Sequence, residues 1–246
     1  MDDNIGLYLV ADGMGGHAGG AHASATCTDV INRTVRHGLT RIDHSQPTMS
    51  HKEIYELLAA SVGEASMRIF NQSMENRKLQ GMGTTLTGML FYGDHAYIVH
   101  VGDSRAYLLR SGVVQQLTSD HTWINEQIEA GLLTASEAEQ SELRHIITRS
   151  VGFEPMVEVD IIPVNFALGD AFILCSDGLS NHIREDELSL LSKRHYYQDL
   201  PNIYTQLALE RGGDDNITVL TILVSNERER VDSPREWQQT AANSTK

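Results

Sequence analysis

The sequence predicts an α+β fold in which two antiparallel β-sheets pack face to face as a sandwich, with helices on both outer faces in α-β-β-α layers. Short apolar runs of strand length occur in groups separated by Gly and Asp turns, which is typical of hairpins rather than of alternating strand-helix units. Two long stretches with helical periodicity stand next to each other near the start. With 246 residues, 41% of them hydrophobic, the chain can bury one sizeable core. We therefore expect one domain over residues 1–225, followed by a polar tail, 226–246, that is predicted to be disordered.

The first three elements are predicted from one apolar run and two helical stripes. Residues 5–11 are apolar and rich in strand formers, and the run stops at an Asp-Gly pair, which indicates a buried strand that enters a turn. From 17 to 37, small and apolar residues recur at helical spacing. Ser50 followed by Glu53 forms a capping box, after which a second apolar helical stripe begins. Two long helices are therefore expected after the first strand.

The rest of the chain is predicted to contain strands grouped as hairpins and shorter helices. The first four of these strands are separated by Gly-containing turns and predict an antiparallel meander, and Thr134 with Glu137 offers a further capping box. The predicted strands are 82–91, 95–101, 105–110, 113–117, 157–164, 171–175 and 217–224. The predicted helical stretches are 122–140, 185–193 and 200–211.

The chain is strongly acidic, with a formal net charge of -14 from 33 acidic and 19 basic residues. A field of that sign repels nucleic acid and anionic lipid, so neither is expected as a partner. The sequence has no apolar stretch of about 20 residues and no basic leader, which predicts a cytoplasmic protein. Cys27 and Cys175 are far apart, so we expect two buried thiols rather than a disulfide or a cysteine metal site.

Four aspartates stand where apolar strands begin or end: Asp12, Asp103, Asp177 and Asp215. Each alone is ordinary turn chemistry, because Asp and Gly both favour tight turns. Strands of a sandwich end on shared rims, however, and carboxylates gathered on one rim resist ionisation unless cations lie between them. Mg²⁺ and Mn²⁺ prefer such oxygen ligands, and the carbonyl of Gly13 could supply one more. The pattern predicts a divalent metal site able to activate water for attack on a phosphoryl group.

Six motifs carry a resemblance to a known family. They are Val10-Ala-Asp-Gly-Met-Gly-Gly-His-Ala-Gly-Gly20, Gly83-Thr-Thr-Leu86, Val101-Gly-Asp-Ser-Arg105, Leu117-Thr-Ser-Asp-His121, Leu174-Cys-Ser-Asp-Gly-Leu179 and Gly213-Asp-Asp-Asn-Ile-Thr218. In order and spacing they resemble the metal-dependent protein phosphatases of type 2C, in their bacterial form, over residues 5–224. The resemblance implies two or three Mg²⁺ or Mn²⁺ ions at one end of a helix-flanked β-sandwich, and phosphoserine or phosphothreonine proteins as substrates. It also implies a serine/threonine kinase as the opposing enzyme, and we expect a monomer.

Residue by residue, the resemblance implies a set of metal ligands. Asp12 matches the carboxylate that bridges the two central metals, and the Gly13 carbonyl matches a ligand of one of them. Asp177 and Asp215 match the carboxylates that complete the shell of the second metal. Asp103, with Asp177, matches the pair that holds a more weakly bound third metal. Because the metals activate water, no side chain is expected to act as the nucleophile.

Residues around this set receive less definite roles. The segment 131–152 resembles the flap beside the site that helps to select substrates in the family. Arg105 could contact phosphate, or it could form an ion pair that steadies its corner. His121 is expected at the cap of a helix that begins near residue 122, with Asp120 or Thr122 supplying the capping oxygen.

One departure from the family pattern concerns the start of the chain. Family members usually begin with an extra strand or two that carry a phosphate-binding arginine and an acidic motif, and no such segment precedes Ile5. Either the start lies further upstream, or the chain is short and leaves a sheet edge unpaired. The second case allows an alternative function, a phosphatase-like binding or regulatory protein with weak or no turnover. The retained aspartates favour the enzyme, because a buried carboxylate cluster is costly to keep without a use.

Overall fold

The computed structural model describes residues 1–40, 49–139 and 141–225, and this part of the chain contains ten β-strands and seven α-helices. The strands are β1 Leu7–Val10, β2 Gly13–Met14, β3 Gly83–Thr84, β4 Leu86–Tyr92, β5 His95–Val101, β6 Arg105–Arg110, β7 Val113–Gln116, β8 Asp160–Asn165, β9 Ala171–Cys175 and β10 Val219–Leu223. The helices are α1 His17–Thr40, α2 His51–Glu75, α3 Trp123–Glu129, α4 Ala135–Glu139, α5 Asp177–Ser180, α6 Glu185–Ser192 and α7 Leu200–Glu210. The predicted tail, 226–246, lies outside the described residues, so its disorder stays a prediction.

Eight of the strands form two antiparallel sheets that pack against each other. Their strand orders are β1-β4-β5-β8 and β10-β9-β6-β7, and β2 pairs separately with β3. Along β9, Phe172 and Leu174 face the core between the sheets, whereas Ile173 and Cys175 face the helices. This alternation follows from the two-residue period of a strand. The predicted β-sandwich is confirmed.

Helices cover the outer face of each sheet, which confirms the predicted α-β-β-α layers. α1 and α2 pack on the sheet that contains β1, and α6 and α7 pack on the other. Ile54, Leu58 and Ile69 of α2 are fully buried, and each such side chain contributes roughly 1.5–3 kcal/mol on burial. The capping box at the start of α2 is present, with the Glu53 N–H donating to Ser50 Oγ at 3.3 Å and the Ser50 N–H donating to Glu53 Oε2 at 2.7 Å.

The predicted four-strand meander is wrong in its connections. β4 pairs with β5 and β6 pairs with β7, but β5 and β6 lie in different sheets. The chain crosses between them at Gly102, whose φ of 109° is in the left-handed region that favours glycine. Both sheets bury side chains in the same core, so the apolar pattern of a strand does not tell to which sheet it belongs. The predicted strand 82–91 is also divided, because the Thr85 N–H leaves the strand ladder and donates to the carbonyl of Asp12 at 2.8 Å.

The predicted helical stretch 122–140 is two short helices rather than one. α3 ends before Gly131, which adopts a φ of 70° and turns the chain. α4 begins after the predicted capping box at Thr134, which is present. Of the two predicted caps of α3, Thr122 rather than Asp120 supplies the oxygen, since its side chain accepts an N–H of the first turn at 3.3 Å. The sequence did not predict the single-turn helix α5.

The start of the chain is held against α1. The Asp2 N–H donates to the carbonyl of Leu7 at 2.8 Å, and the largely buried carboxylate of Asp2 pairs with Arg36. Among the described residues no strand precedes β1, and β1 and β10 are edge strands of their sheets. Every residue of β10 is only partly buried.

Cys27 and Cys175 are both buried and unbridged, as predicted. No helix in the described ranges combines the length and apolar character that crossing a membrane requires.

Candidate metal centre

The four predicted aspartates lie at one end of the sandwich, and the strand topology explains why. β1 and β5 both run antiparallel to β4, so their carboxyl ends share one edge, and Asp12 and Asp103 follow these ends. β9 and β10 are antiparallel, so Asp177, which follows β9, lies beside Asp215, which precedes β10. Arg105, the first residue of β6, pairs with Cys175, the last residue of β9. Asp103, just before β6, therefore lies near Asp177, just after β9.

The Asp12-Gly13 corner is fixed by hydrogen bonds to two threonine side chains and by close packing of two glycines. The Asp12 N–H donates to Thr85 Oγ1 at 3.0 Å, and the Asp12 carbonyl accepts from Thr84 Oγ1 at 2.9 Å. Gly13 packs against Gly20 in the first turn of α1, where a Cβ on Gly13 would lie 2.0 Å from the Gly20 oxygen. A Cβ on Gly20 would lie 2.3 Å from the Gly13 oxygen. Both positions therefore require glycine.

Thr85 also joins the Asp103 corner to the Asp12 corner. Its hydroxyl lies 2.8 Å from Ser104 Oγ and accepts the Asp12 N–H. Gly102 packs directly on the same residue, since a Cβ there would lie 2.8 Å from the Thr85 side chain. One buried threonine thus sets the spacing of two predicted ligand corners.

The Asp177 and Asp215 loops are joined in a similar way. Asp177 opens α5, and a Cβ on the next residue, Gly178, would lie 2.3 Å from the carbonyl oxygen of Asn216. Ser176 Oγ donates to the same carbonyl at 3.2 Å. The two carboxylate-bearing loops are therefore held together by contacts within one residue of each aspartate.

Burial and mutual repulsion raise the pKa of three of the carboxyl groups. Burial, followed by the charges of Asp177 and Asp215, raises the pKa of Asp12 to about 6. Burial, followed by the charges of Asp177 and Asp120, raises the pKa of Asp103 to about 7. Burial and then the charge of Asp215 raise the pKa of Asp177. The charge of Asp177 acts on both Asp12 and Asp103, so these carboxyl groups lie close enough together to disfavour one another's ionisation.

Two adjacent aspartates compete for the last position of this set. In the family motif the ligand directly precedes the asparagine, which favours Asp215 over Asp214. The charge of Asp215 acts on the pKa of both Asp12 and Asp177. The local electrostatics therefore favour the same residue.

Metal-free protein is expected to lose stability as the pH rises from about 4 to about 7. The raised pKa values of Asp12 and Asp103, about 6 and about 7, mean that the folded chain binds more protons than the unfolded chain, in which the pKa of Asp is about 3.9. This stabilisation is complete below about pH 4 and is lost as the pH rises through the two folded values. In a chelator, the unfolding temperature of Asp103→Asn should therefore rise relative to that of the wild type as the pH rises.

A control for this pH effect is the exposed Asp29, which pairs with Arg33 on α1. Asp29→Asn should follow the wild type at every pH. The raised pKa of Asp103 would be contradicted if the unfolding temperature of Asp103→Asn did not rise relative to the wild type between about pH 4 and 7.

A cavity of about 620 Å³ opens beside the aspartates. Asp103, Asp177 and Asn181 line one side of it, and Ala138 and His145 line it from the segment predicted as a flap. In the described ranges, no three His, Cys, Asp or Glu side chains already enclose one metal position. Mg²⁺ usually keeps several waters and takes only one or two carboxylates, so an all-oxygen set with raised pKa values fits such ions.

A sequence profile of the family described as Protein phosphatase 2C matches residues 1–208. The chain belongs to the protein phosphatase 2C family. It is 34% identical over 221 residues to the serine/threonine phosphatase stp of Listeria monocytogenes serotype 4b, a match that covers 89% of this chain and 85% of the relative. These findings confirm the resemblance on which the sequence interpretation depended.

Solved structures of phosphatase 2C proteins match the fold. The crystal structure of the Mycobacterium tuberculosis serine/threonine phosphatase PstP/Ppp superposes with a TM-score of 0.75 at 34% identity, covering 89% of this chain and 88% of that one. The catalytic domain of PstP in complex with two manganese ions superposes with a TM-score of 0.70 at 33% identity, over 89% of this chain and 88% of that one. The family is metal dependent, in agreement with the oxygen-rich end of the sandwich.

Arg105 of this phosphatase 2C chain forms the ion pair that was one of its two predicted roles. Its Nε donates to Asp120 Oδ1 at 2.9 Å and its Nη2 donates to Oδ2 at 2.6 Å. The two side chains are 29% and 16% exposed, so the pair is largely shielded from solvent. A bidentate pair of this kind fixes the start of β6, two residues after Asp103.

Three residues around the site received no role there from the sequence. Thr85 and His121 belong to motifs that supported the resemblance, but their contacts join segments far apart in the chain. Asn181, the residue directly after α5, donates to Asp177 Oδ2 at 3.2 Å. The spacing of four residues could have indicated this contact, but only if the helix had been predicted.

Proposed function

We propose that this chain hydrolyses phosphoserine and phosphothreonine in proteins with the help of Mg²⁺ or Mn²⁺. The observation that carries the proposal is the convergence of partly buried carboxyl groups with raised pKa values at one end of a phosphatase 2C sandwich. Relatives named as serine/threonine phosphatases support the substrate class. A related structure with two manganese ions supports the metal.

In this proposal each predicted residue has a place around the ions. Asp12, the Gly13 carbonyl, Asp177 and Asp215 would hold two of the ions. Asp103, together with Asp177, would hold a third. When bound, such ions lower the pKa of water and neutralise charge on the phosphoryl group.

The surrounding residues hold these ligands in place. Thr85 fixes the backbone of Asp12, and Asn181 holds one oxygen of Asp177. Arg105 is engaged by Asp120, and bound ions would supply positive charge for the substrate phosphate.

The same proposal includes the setting in which the enzyme acts. Its natural substrates are proteins phosphorylated by a serine/threonine kinase, and it acts on them as a monomer in the cytoplasm. The segment 131–152, which lines the cavity beside the aspartates, selects among them.

Phosphate release from a phosphothreonine peptide tests the proposed activity. With the full chain and Mn²⁺ we expect steady turnover, because the ions supply the nucleophile and the charge neutralisation. EDTA should lower the rate by at least about 1,000-fold, and excess Mn²⁺ should restore it. A phosphotyrosine peptide of the same sequence is the matched control.

Two results would contradict the proposal. A rate unaffected by EDTA would exclude metal-dependent hydrolysis. A chain that binds Mn²⁺ but releases no phosphate would favour the regulatory alternative, which the names of its relatives do not favour.

A further inference from the structure

The segment formed by residues 147–151 contacts both corners of the aspartate site, and we name it the linking segment. At one end, an N–H of the segment donates to the carbonyl of His121 at 2.9 Å. At the other end, Val151 and Thr84 exchange two backbone hydrogen bonds of 2.8 and 3.0 Å. Thr84 in turn pairs with Gly13 in the β2-β3 ladder. The linking segment thus joins His121 to the strand that carries Gly13.

His121 holds the peptide that precedes Asp103. Its backbone N–H donates to the Gly102 carbonyl at 2.7 Å, and the Gly102 N–H donates to His121 Nδ1 at 3.1 Å. Because Nδ1 accepts, the neutral ring carries its proton on Nε2, which donates to Asp160 Oδ2 at 3.1 Å. The ring is only 6% exposed. His121 therefore forms hydrogen bonds with both the N–H and the carbonyl of Gly102.

The far side of the histidine ring is held by the linking segment. Asp160 Oδ1 accepts from Arg149 Nη1 at 3.3 Å, and Arg149 belongs to that segment. The ring of His100 lies 4.7 Å from the ring of His121 and is itself fixed by a 2.9 Å hydrogen bond to Thr87 Oγ1. The His121 ring therefore has little freedom to turn away from Gly102.

We propose that His121 is a positioning residue for Asp103, and that Arg149 and Asp160 act through it to set how tightly Asp103 takes its metal ion. The inference rests on the proposed function, which places a metal ion at Asp103. Outer contacts that orient a ligand change metal affinity by about 10- to 100-fold. The linking segment that carries Arg149 also pairs, through Val151, with Thr84, the partner of Gly13 in the β2-β3 ladder.

Four variants of the full chain distinguish the contact made by His121 Nδ1 from the contact made by its Nε2. His121→Asn keeps an acceptor close to the Nδ1 position but cannot reach Asp160, whereas His121→Gln places its amide close to the Nε2 position and leaves Gly102 without an acceptor. Arg149→Met removes the contact to Asp160 from a side chain that is 33% exposed, so the fold is expected to survive. His95→Gln, at the opposite end of β5, is the matched control.

Mn²⁺ titration followed by EPR of the free ion measures binding directly, and thermal unfolding checks the fold. Asp103→Asn defines the site that depends on Asp103. At that site we expect His121→Gln to weaken binding about 10- to 100-fold, Arg149→Met to weaken it by less, and His121→Asn to retain most of it. The remaining sites should keep wild-type affinity in all three variants, and His95→Gln should change nothing.

A folded His121→Gln variant with wild-type affinity at every site would overturn the inference. If that variant does not fold, Arg149→Met decides in its place, and unchanged affinity there has the same meaning. Turnover of the wild type on a phosphothreonine peptide separates the two proposals. Active wild type with unaffected variants refutes only the positioning role, whereas inactive wild type with the expected affinity changes refutes only the proposed function.

Discussion

Asp177→Asn is expected to lower kcat by at least about 1,000-fold while leaving the fold intact. The charge of Asp177 raises the pKa of both Asp12 and Asp103, so its carboxylate lies between the two corners of the site. Asn has nearly the same shape and can still accept the hydrogen bond from Asn181. It removes the negative charge on which two of the proposed metal positions depend. Turnover on a phosphothreonine peptide at saturating Mn²⁺ measures the loss.

The effect should be specific to the site rather than to the stability of the chain. Asp177→Asn removes repulsion from the metal-free protein, so its unfolding temperature in a chelator should rise slightly. Asp214→Asn changes an exposed carboxylate next to Asp215 and should leave turnover within about twofold of the wild type. Wild-type turnover in Asp177→Asn would exclude the proposed ligand set.

Gly13→Ala is expected to cost both stability and activity. Its added Cβ would lie 2.0 Å from the Gly20 carbonyl oxygen, which is backbone and cannot rotate away. Overpacking of this kind costs about 1–3 kcal/mol, and displacement of the neighbouring Asp12 by about 1 Å lowers turnover about 100-fold. Chemical denaturation and peptide turnover measure the two losses.

Gly63→Ala provides the comparison for this substitution. Gly63 lies in α2 with no atom within 4 Å of an added Cβ, so the change should stabilise the chain by about 0.5–1 kcal/mol through helix propensity. If Gly13→Ala is as stable and active as Gly63→Ala, the packing of Gly13 on Gly20 does not hold the metal corner.

Local patterns in the sequence predicted most elements of the fold. The helix after Ser50 was predicted from its cap and its apolar stripe, and both are present in α2. The sheet to which each strand belongs was not predictable, because β5 and β6 bury side chains in one shared core. The crossing at Gly102 depends on a contact with Thr85, which is distant in sequence.

The aspartate end of the site was predictable because it follows from strand ends alone. Asp12 and Asp177 each stand two residues after the end of an apolar strand, and any sandwich gathers such positions on a rim. The roles of Thr85 and His121 were not predictable, since their side chains act on Asp12 and Gly102, which lie 73 and 19 residues away in the sequence. Their presence in recognisable motifs showed that they mattered without showing what they contact.

Anomalous diffraction from crystals of the full chain grown with Mn²⁺ tests the central claim most directly. The account predicts two strong manganese peaks among Asp12, Gly13, Asp177 and Asp215, and a weaker peak between Asp103 and Asp177. Manganese bound elsewhere, with no peak among these carboxylates, would contradict it.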